Sequence, residues 1–271
     1  MKITITIDDK EYRADLSQAK SIAITLLPNG EQPSHFGAPA CTSQTLEGDG
    51  FVGDTKRGGS CNVNQLTMIP HCNGTHTESI AHIIDELVPV SNVIENAIFP
   101  STLITLESVT ASEVNDAYLP NFDQDNQVIT RAQLEESLKN YSDAQLEGLV
   151  IRTLPNHQVK QSMTYDSTHY PIYLTNDAMT YIVERKVKHL MVDFPSVDKM
   201  YDDGMLSNHR IFWNVENGST KKSESSFTNK TITEMVYVDD SLEDGAYLCN
   251  LQLPKIETDA VPSNPELIKL F

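Results

Sequence analysis

The stretch Pro70-His71-Cys72-Asn73-Gly74-Thr75-His76-Thr77-Glu78-Ser79-Ile80-Ala81-His82 holds three of the chain's eight histidines and a carboxylate. Imidazole nitrogen and carboxylate oxygen form a donor set suited to Zn²⁺ and other first-row divalent ions, and a tight turn can converge them on one point. Gly74 allows the backbone to turn sharply there. Burying several imidazoles without a partner is costly, so the cluster points to metal binding or catalysis. Structural readings compete with this one residue by residue. Thr75-x-x-Glu78 has the form of a helix capping box, His82 beside Ile83 fits a hydrogen-bonded core histidine, and His71 follows a strand end. Ile80, Ile83, Ile84 and Leu87 recur at helical spacing and predict a helix over residues 78–87. On such a helix Glu78 and His82, four apart, share a face.

Working outward, residues 65–70 read as a strand delivering the chain to His71. Upstream lie short strands at residues 3–7 and 21–26. Between them and the cluster runs a long irregular stretch, 28–64, rich in Gly, Pro, Ser and Asp. A loop of that length inside a compact domain is usually functional or a lid. Downstream, residues 131–140 predict a helix, 148–152 a buried strand, 175–185 an amphipathic helix and 189–193 a strand covered on both faces. Strand, helix, strand at this spacing is a crossover unit. Residues 231–237 and 246–253 give two more strands around an acidic turn at 239–245, and the Ser- and Lys-rich residues 214–230 form a solvated loop. The apolar C-terminal residues 267–271 either pack on the chain's own core or dock on a neighbour.

Composition narrows the functional classes. The 271 residues carry 20 Lys and Arg against 38 Asp and Glu, a net charge of −18, which argues against a nucleic-acid partner because phosphate contacts need local cations. An apolar fraction of 39% is too high for disorder. No apolar run is long enough to span a bilayer, and the opening residues alternate Ile and Thr before meeting charge, a strand pattern and not a signal peptide. Cys41, Cys61, Cys72 and Cys249 are irregularly spaced, so neither a disulfide framework nor a zinc ribbon is indicated, and reduced thiols in the cytoplasm are the simpler expectation. Residues 1–271 are read as a single domain, with the long loop at 28–64 and an insertion at 214–230.

Gly74-Thr75-His76-x-Glu78-x-x-x-His82 resembles the H-x-G-T-H-x-D-x-P-x-H signature of the cyclase-like metal-dependent hydrolases, the group containing bacterial kynurenine formamidase and isatin hydrolase. Asp15-Leu16-Ser17, Val150-Ile151-Arg152-Thr153, Val192 to Asp198, Asn208-His209, Ile232-Thr233-Glu234 and Leu251 to Ile256 resemble the family's other landmarks in the same order. The resemblance therefore spans most of the chain. It departs from the signature at Glu78, which stands for the usual Asp, at Ile80, which stands for the Pro, and at Cys72-Asn73, two residues where the family has one.

The resemblance implies an α/β chain with the swivelling β/β/α fold, a mixed sheet or barrel-like core flanked by helices. It implies that His71, His76, Glu78, His209 and Glu234 hold one or two divalent ions, Zn or Mn, and that His82 is the general acid/base. Asp193 and Asp198 are expected to orient a ligand or cap a turn. His35 and His169 are candidate substrate-loop residues, as is the neighbourhood of Tyr170, and Cys72 lies close enough to the site for its oxidation to disturb it. The implied activity is metal-dependent hydrolysis of a compact amide, a formamide, lactam or imide ring, at C–N bonds other than peptide bonds, using hydroxide from metal-bound water. The expected partners are a small-molecule amide and further copies of the chain, as a homodimer or homotetramer, with no nucleic acid and no membrane. Two alternatives stay open: a non-catalytic ligand- or metal-binding protein on the same scaffold, and a cyclase or dehydratase using the same groups.

Overall fold

The computed structural model describes residues 1–271. Nine strands make one curled mixed sheet: β1 (Lys20–Ser21), β2 (His76–Glu78), β3 (Ile98–Glu107), β4 (Gly148–Leu154), β5 (His189–Val192), β6 (Thr231–Glu234), β7 (Gly245–Asn250), β8 (Ala260–Pro262) and β9 (Glu266–Lys269). Their spatial order is β8-β2-β6-β5-β4-β3-β7-β9-β1. Strands β3 to β6 pair in parallel, and the pairs outside them are antiparallel.

Parallel neighbours need crossovers, and three helices fill them: α1 (Arg131–Leu138), α2 (Asn176–Glu184) and α3 (Ser207–Trp213). Thr130 and Gln133 close a capping box at the start of α1, and the Thr175 hydroxyl caps α2 by accepting from the Ala178 N–H. Successive side chains on a strand point to opposite faces. Thus Leu149 and Ile151 of β4 and Leu190 and Val192 of β5 pack with Leu134, Leu138, Met179 and Ile182 of the helices. Val150 and Met191, between them in sequence, join Phe99, Leu103, Tyr247 and Leu267 on the other face. Both faces are dry, which is why these strands read as unbroken apolar runs. The sheet curls into a half-barrel. The Tyr237 N–H donates to the Ile22 carbonyl at 2.7 Å, and Ala23 bridges to Val236, so the chain just past β1 meets the chain just past β6.

The sequence-based elements in the two crossovers and the C-terminal strands agree with this architecture, and four others need correction. Residues 78–87 are not a helix: His76–Glu78 is a strand paired on both edges, and Ile80–His82 is a single 3-10 turn with Ser79 as its cap. The ladder ends at Glu78; beyond it the Ser79 N–H donates to the Asp259 carbonyl and the Asp85 N–H to the Thr220 carbonyl, and the short turn still buries Ile80, Ile83 and Ile84. Thr75 is accordingly no capping-box residue; its hydroxyl accepts from Ile24 N–H and donates to the Met235 carbonyl. Of residues 21–26, only Ser21 joins the ladder, as the end of the Lys20–Ser21 strand, before the isolated bridge at Ala23. The stretch 28–64 is less irregular than expected. Thr42–Thr45 pairs with Asn64–Thr67 as an antiparallel arm, and Ser34–His35 pairs with Thr164–Tyr165. The C-terminal segment enters the sheet as β9 and buries Leu267, Ile268 and Leu270, leaving Phe271 exposed. No helix is long and apolar enough to cross a membrane.

Leu190 is fully buried in the helix-side core, so Leu190→Ala is expected to cost about 2–5 kcal/mol in urea unfolding. Leu66, 60% exposed on the arm, should change stability by no more than about 0.5 kcal/mol when replaced by Ala. Equal shifts for the two variants would contradict this division between core and arm.

Candidate metal centre

Pairing of β2 with β6 and β8 builds the site. His76 and Glu78 are two apart on β2, so their side chains leave the same face. The register sets His76 opposite Glu234 and Glu78 opposite Ile232, which brings the Glu234 carboxylate onto that face as well. Thr77 and Thr233 point the other way and hydrogen-bond to each other at 2.8 Å. His71 arrives on the single helical turn Pro70–Asn73, His82 on the 3-10 turn, and His209 on α3. The site was thus reached through strand alternation; the helical spacing read from the sequence for Glu78 and His82 is absent, yet their side chains still approach to 4.0 Å.

Glu78 is the centre of the group, completely buried. His209 Nε2 lies 3.0 Å from its Oε1, and His71 Nδ1 lies 2.9 Å from its Oε2 but out of line for a hydrogen bond. Burial raises the Glu78 carboxyl, but the fields of His82 and His209, with the hydrogen bonds it accepts, hold it well below the usual carboxylate range. Burial opposes charge on His209 too, and the Glu78 and Asp198 carboxylates more than offset it, raising that imidazole. Asp198 fixes the ring: its Oδ2 is 2.6 Å from His209 Nδ1, while Tyr118 Oη and the Asn208 N–H donate to Oδ1 at 2.8 Å each. For His71, burial works against the proton, but the Asp259 and Glu78 carboxylates push the ring up to about 10. His76 Nδ1 is 2.9 Å from the Gly74 carbonyl, so Nε2 faces the centre, 3.5 Å from Glu234 Oε2. The Val197 N–H holds the other Glu234 oxygen at 2.8 Å.

Two of these buried atoms, His76 Nε2 and Glu78 Oε2, have no hydrogen-bond partner. A buried polar atom left unpaired costs about 1–3 kcal/mol, and a cation between the two would satisfy both. Donor atoms of His71, His76 and Glu78 lie within 4.8 Å of one another, and so do those of Glu78, His82 and His209. Imidazole and carboxylate at this density suit a first-row divalent ion, so the residues present fit a metal.

The centre opens into a cleft of about 240 Å³ whose lining includes His35, Cys72, His82, Lys199 and Asp202. His35 is buried with neither ring nitrogen hydrogen-bonded, and burial, with the nearby His76, lowers its pKa to about 4. Phe36 and Tyr201 stand edge to face at the rim, 6.0 Å between centroids, and Tyr170 lies 6.0 Å from Tyr201. Burial and the Glu234 charge raise the Cys72 thiol, which leaves it less reactive than a free cysteine. Two residues considered from sequence lie elsewhere. His169 is exposed beside Asp166, and Asp193 accepts from Thr153 and pairs with Lys160 at 2.8 Å. Asp259, just before the neighbouring strand β8 and unremarkable in sequence, sits 2.8 Å from His71 Nε2 and 3.8 Å from His82 Nδ1. Only strand pairing reveals it.

The Cyclase family matches residues 3–199, well over half of the chain and all of the segment from His71 to His82. The chain belongs to this family. Among solved structures, a protein described as a predicted metal-dependent hydrolase from Bacillus stearothermophilus superposes with a TM-score of 0.59 at 14% identity, covering 93% of this chain and 98% of that one. An isatin hydrolase bound to the product analogue thioisatinate gives 0.60 at 15% identity, with 93% and 92% covered. Isatin hydrolase A from Labrenzia aggregata, bound to benzyl benzoate, gives 0.59 at 13% identity, with 93% of each chain covered. These likenesses are of fold. No curated protein matches the chain in sequence. The cyclase-family match ends at residue 199, before His209, Glu234 and Asp259, and of these three only Asp259 was not already expected from the sequence.

In the ion-free protein, His71 binds its proton more tightly folded than unfolded. Its contribution to stability is complete below the ordinary imidazole value of about 6.5 and lost as the pH rises to about 10. Thermal melts in chelator should show the wild type losing stability across that window relative to His71→Gln. Parallel pH profiles for the two proteins would contradict the clamp on His71.

Proposed function

We propose that this cyclase-family chain is a divalent-metal-dependent hydrolase of a compact amide, opening a formamide, lactam or imide C–N bond. The reading is carried by the two orphaned atoms, His76 Nε2 and Glu78 Oε2, facing a common centre at the base of a cleft. His71, His76, Glu78, His209 and Glu234 are the residues that would hold one or two ions, Zn or Mn. When bound, such an ion lowers the pKa of a water to about 7 and polarises a carbonyl oxygen. The isatin hydrolases among the structural neighbours support an amide as the target.

The chain's own groups divide the remaining work. Glu78, fully buried, keeps its negative charge because imidazoles surround it. Asp198 holds His209 by Nδ1 and leaves Nε2 toward the centre. His82 is half-exposed at the cleft wall, able to take a proton from the attacking water and return it to the departing nitrogen, a role worth about 10²–10⁴-fold in rate. His35, neutral and unpaired, presents one donor and one acceptor to whatever occupies the cleft.

Elemental analysis of protein prepared without chelators, with a screen of formylated anilines and small cyclic amides, tests the reading. His82→Ala should keep its metal and lose roughly 10²–10⁴-fold in turnover, whereas His76→Ala should lose the metal. Wild-type metal content and activity in both variants would overturn the proposal, and stoichiometric metal without turnover of any amide would favour a binding protein.

A further inference from the structure

We infer that Asp259 is the positioning residue that decides which nitrogen of His71 faces the centre. The inference rests on the site just proposed and adds a residue to it. The two rings stack, centroids 4.2 Å apart and planes 28° apart. Each ring has one nitrogen toward Glu78 Oε2 and the other toward Asp259 Oδ2. For His71 these are Nδ1 at 2.9 Å and Nε2 at 2.8 Å; for His82 they are Nε2 at 4.0 Å and Nδ1 at 3.8 Å. Two carboxylates thus bracket a pair of imidazoles. A ring that donates from one nitrogen to a carboxylate presents the lone pair of the other, so Asp259, bonded to His71 Nε2, leaves His71 Nδ1 free to bind an ion, while His82 stands beyond hydrogen-bonding reach of it at 3.8 Å.

Asp259 is itself rigidly placed. Its carbonyl accepts from Ser79 N–H at 3.0 Å, its neighbour Ala260 pairs with Glu78, and the Thr258 hydroxyl donates to its Oδ1 at 2.9 Å. The strand that carries His76 and Glu78 therefore also sets the position of the carboxylate behind His71 and His82. His71, His82 and Asp259 form no ion site of their own. Imidazole lone pairs lie in the ring plane, and two nearly parallel planes 4.2 Å apart do not converge on one cation at bonding distance, whereas a carboxylate oxygen accepts over a broad range of directions.

The test compares wild type, Asp259→Ala, Asp259→Asn and, as a control for simple loss of local charge, Glu257→Gln, which lies exposed two residues away. Zinc affinity is read by competition with a chromogenic chelator. Asp259→Ala is expected to weaken binding about 10–100-fold, Asp259→Asn by less, and Glu257→Gln hardly at all. Ring nitrogen spectra of ¹⁵N-histidine protein provide a second readout that needs no metal. In the ion-free wild type, His71 Nε2–H should give a hydrogen-bonded signal that Asp259→Ala abolishes. Unchanged zinc affinity and unchanged ring signals in Asp259→Ala would overturn this inference while leaving the proposed function standing. Failure of the wild type to bind zinc, with the His71 signal still lost in the variant, would overturn the proposed function and leave the positioning role intact.

Discussion

A carboxylate with no access to water has to be compensated, and Glu78 sets that requirement for everything around it. Removing a charge from water without a partner costs several kcal/mol even after relaxation, so a buried Glu is tolerated only where opposing charge and hydrogen bonds are built in. Here the compensation is imidazole on several sides: His209 in hydrogen-bonded contact, His71 close but out of line, and His82 at the margin. Each of those rings in turn needs its far nitrogen occupied, which brings in Asp198 behind His209 and Asp259 behind His71. The outward sequence of carboxylate, imidazole and carboxylate follows from that single burial.

The sheet makes the arrangement affordable. Three of the parallel strands, β3 to β5, carry apolar side chains on both faces and supply a rigid dry interior, and α1 and α2 between them are held by their own caps and by Leu and Ile contacts. Function is concentrated where that regularity ends. Strands β2, β6 and β8 are short, β2 and β8 lie at one side of the sheet, and the polar face of β2 is buried behind His71, His82, His209 and Glu234, which line the cleft. The centre gains precision because most of its groups are carried by strands and helix turns whose backbone bonds are already satisfied.

Much of this was legible from residues alone. Strands with unbroken apolar runs announced the parallel core, and the density of imidazoles between His71 and His82 announced the site. What misled was local periodicity. Ile80, Ile83 and Ile84 fit a helical stripe, yet the chain leaves a strand at Glu78 and the Ser79 and Asp85 N–H groups bond to Asp259 and Thr220 across the fold, as tertiary context commonly overrides short apolar patterns. His209 and Glu234 were expected at the site only through the resemblance, and both are buried there. Asp259 carried no local signal, because its meaning depends on pairing with a strand far away in the chain; it lies 188 residues from His71. Ordered landmarks along the chain conveyed the family, while only three-dimensional register conveyed which side chains meet.

That register has a consequence of its own. On β2 and β6, alternate residues carry wholly different chemistry: His76, Glu78 and Glu234 on one side, Thr77 and Thr233 on the other. A slip of one residue would exchange the two sets, putting hydroxyls in the cleft and ionisable groups into the packed interior. Misalignment therefore yields no weakened version of this centre, only its absence, and the interlocked threonines on the far side work as a key that admits a single alignment.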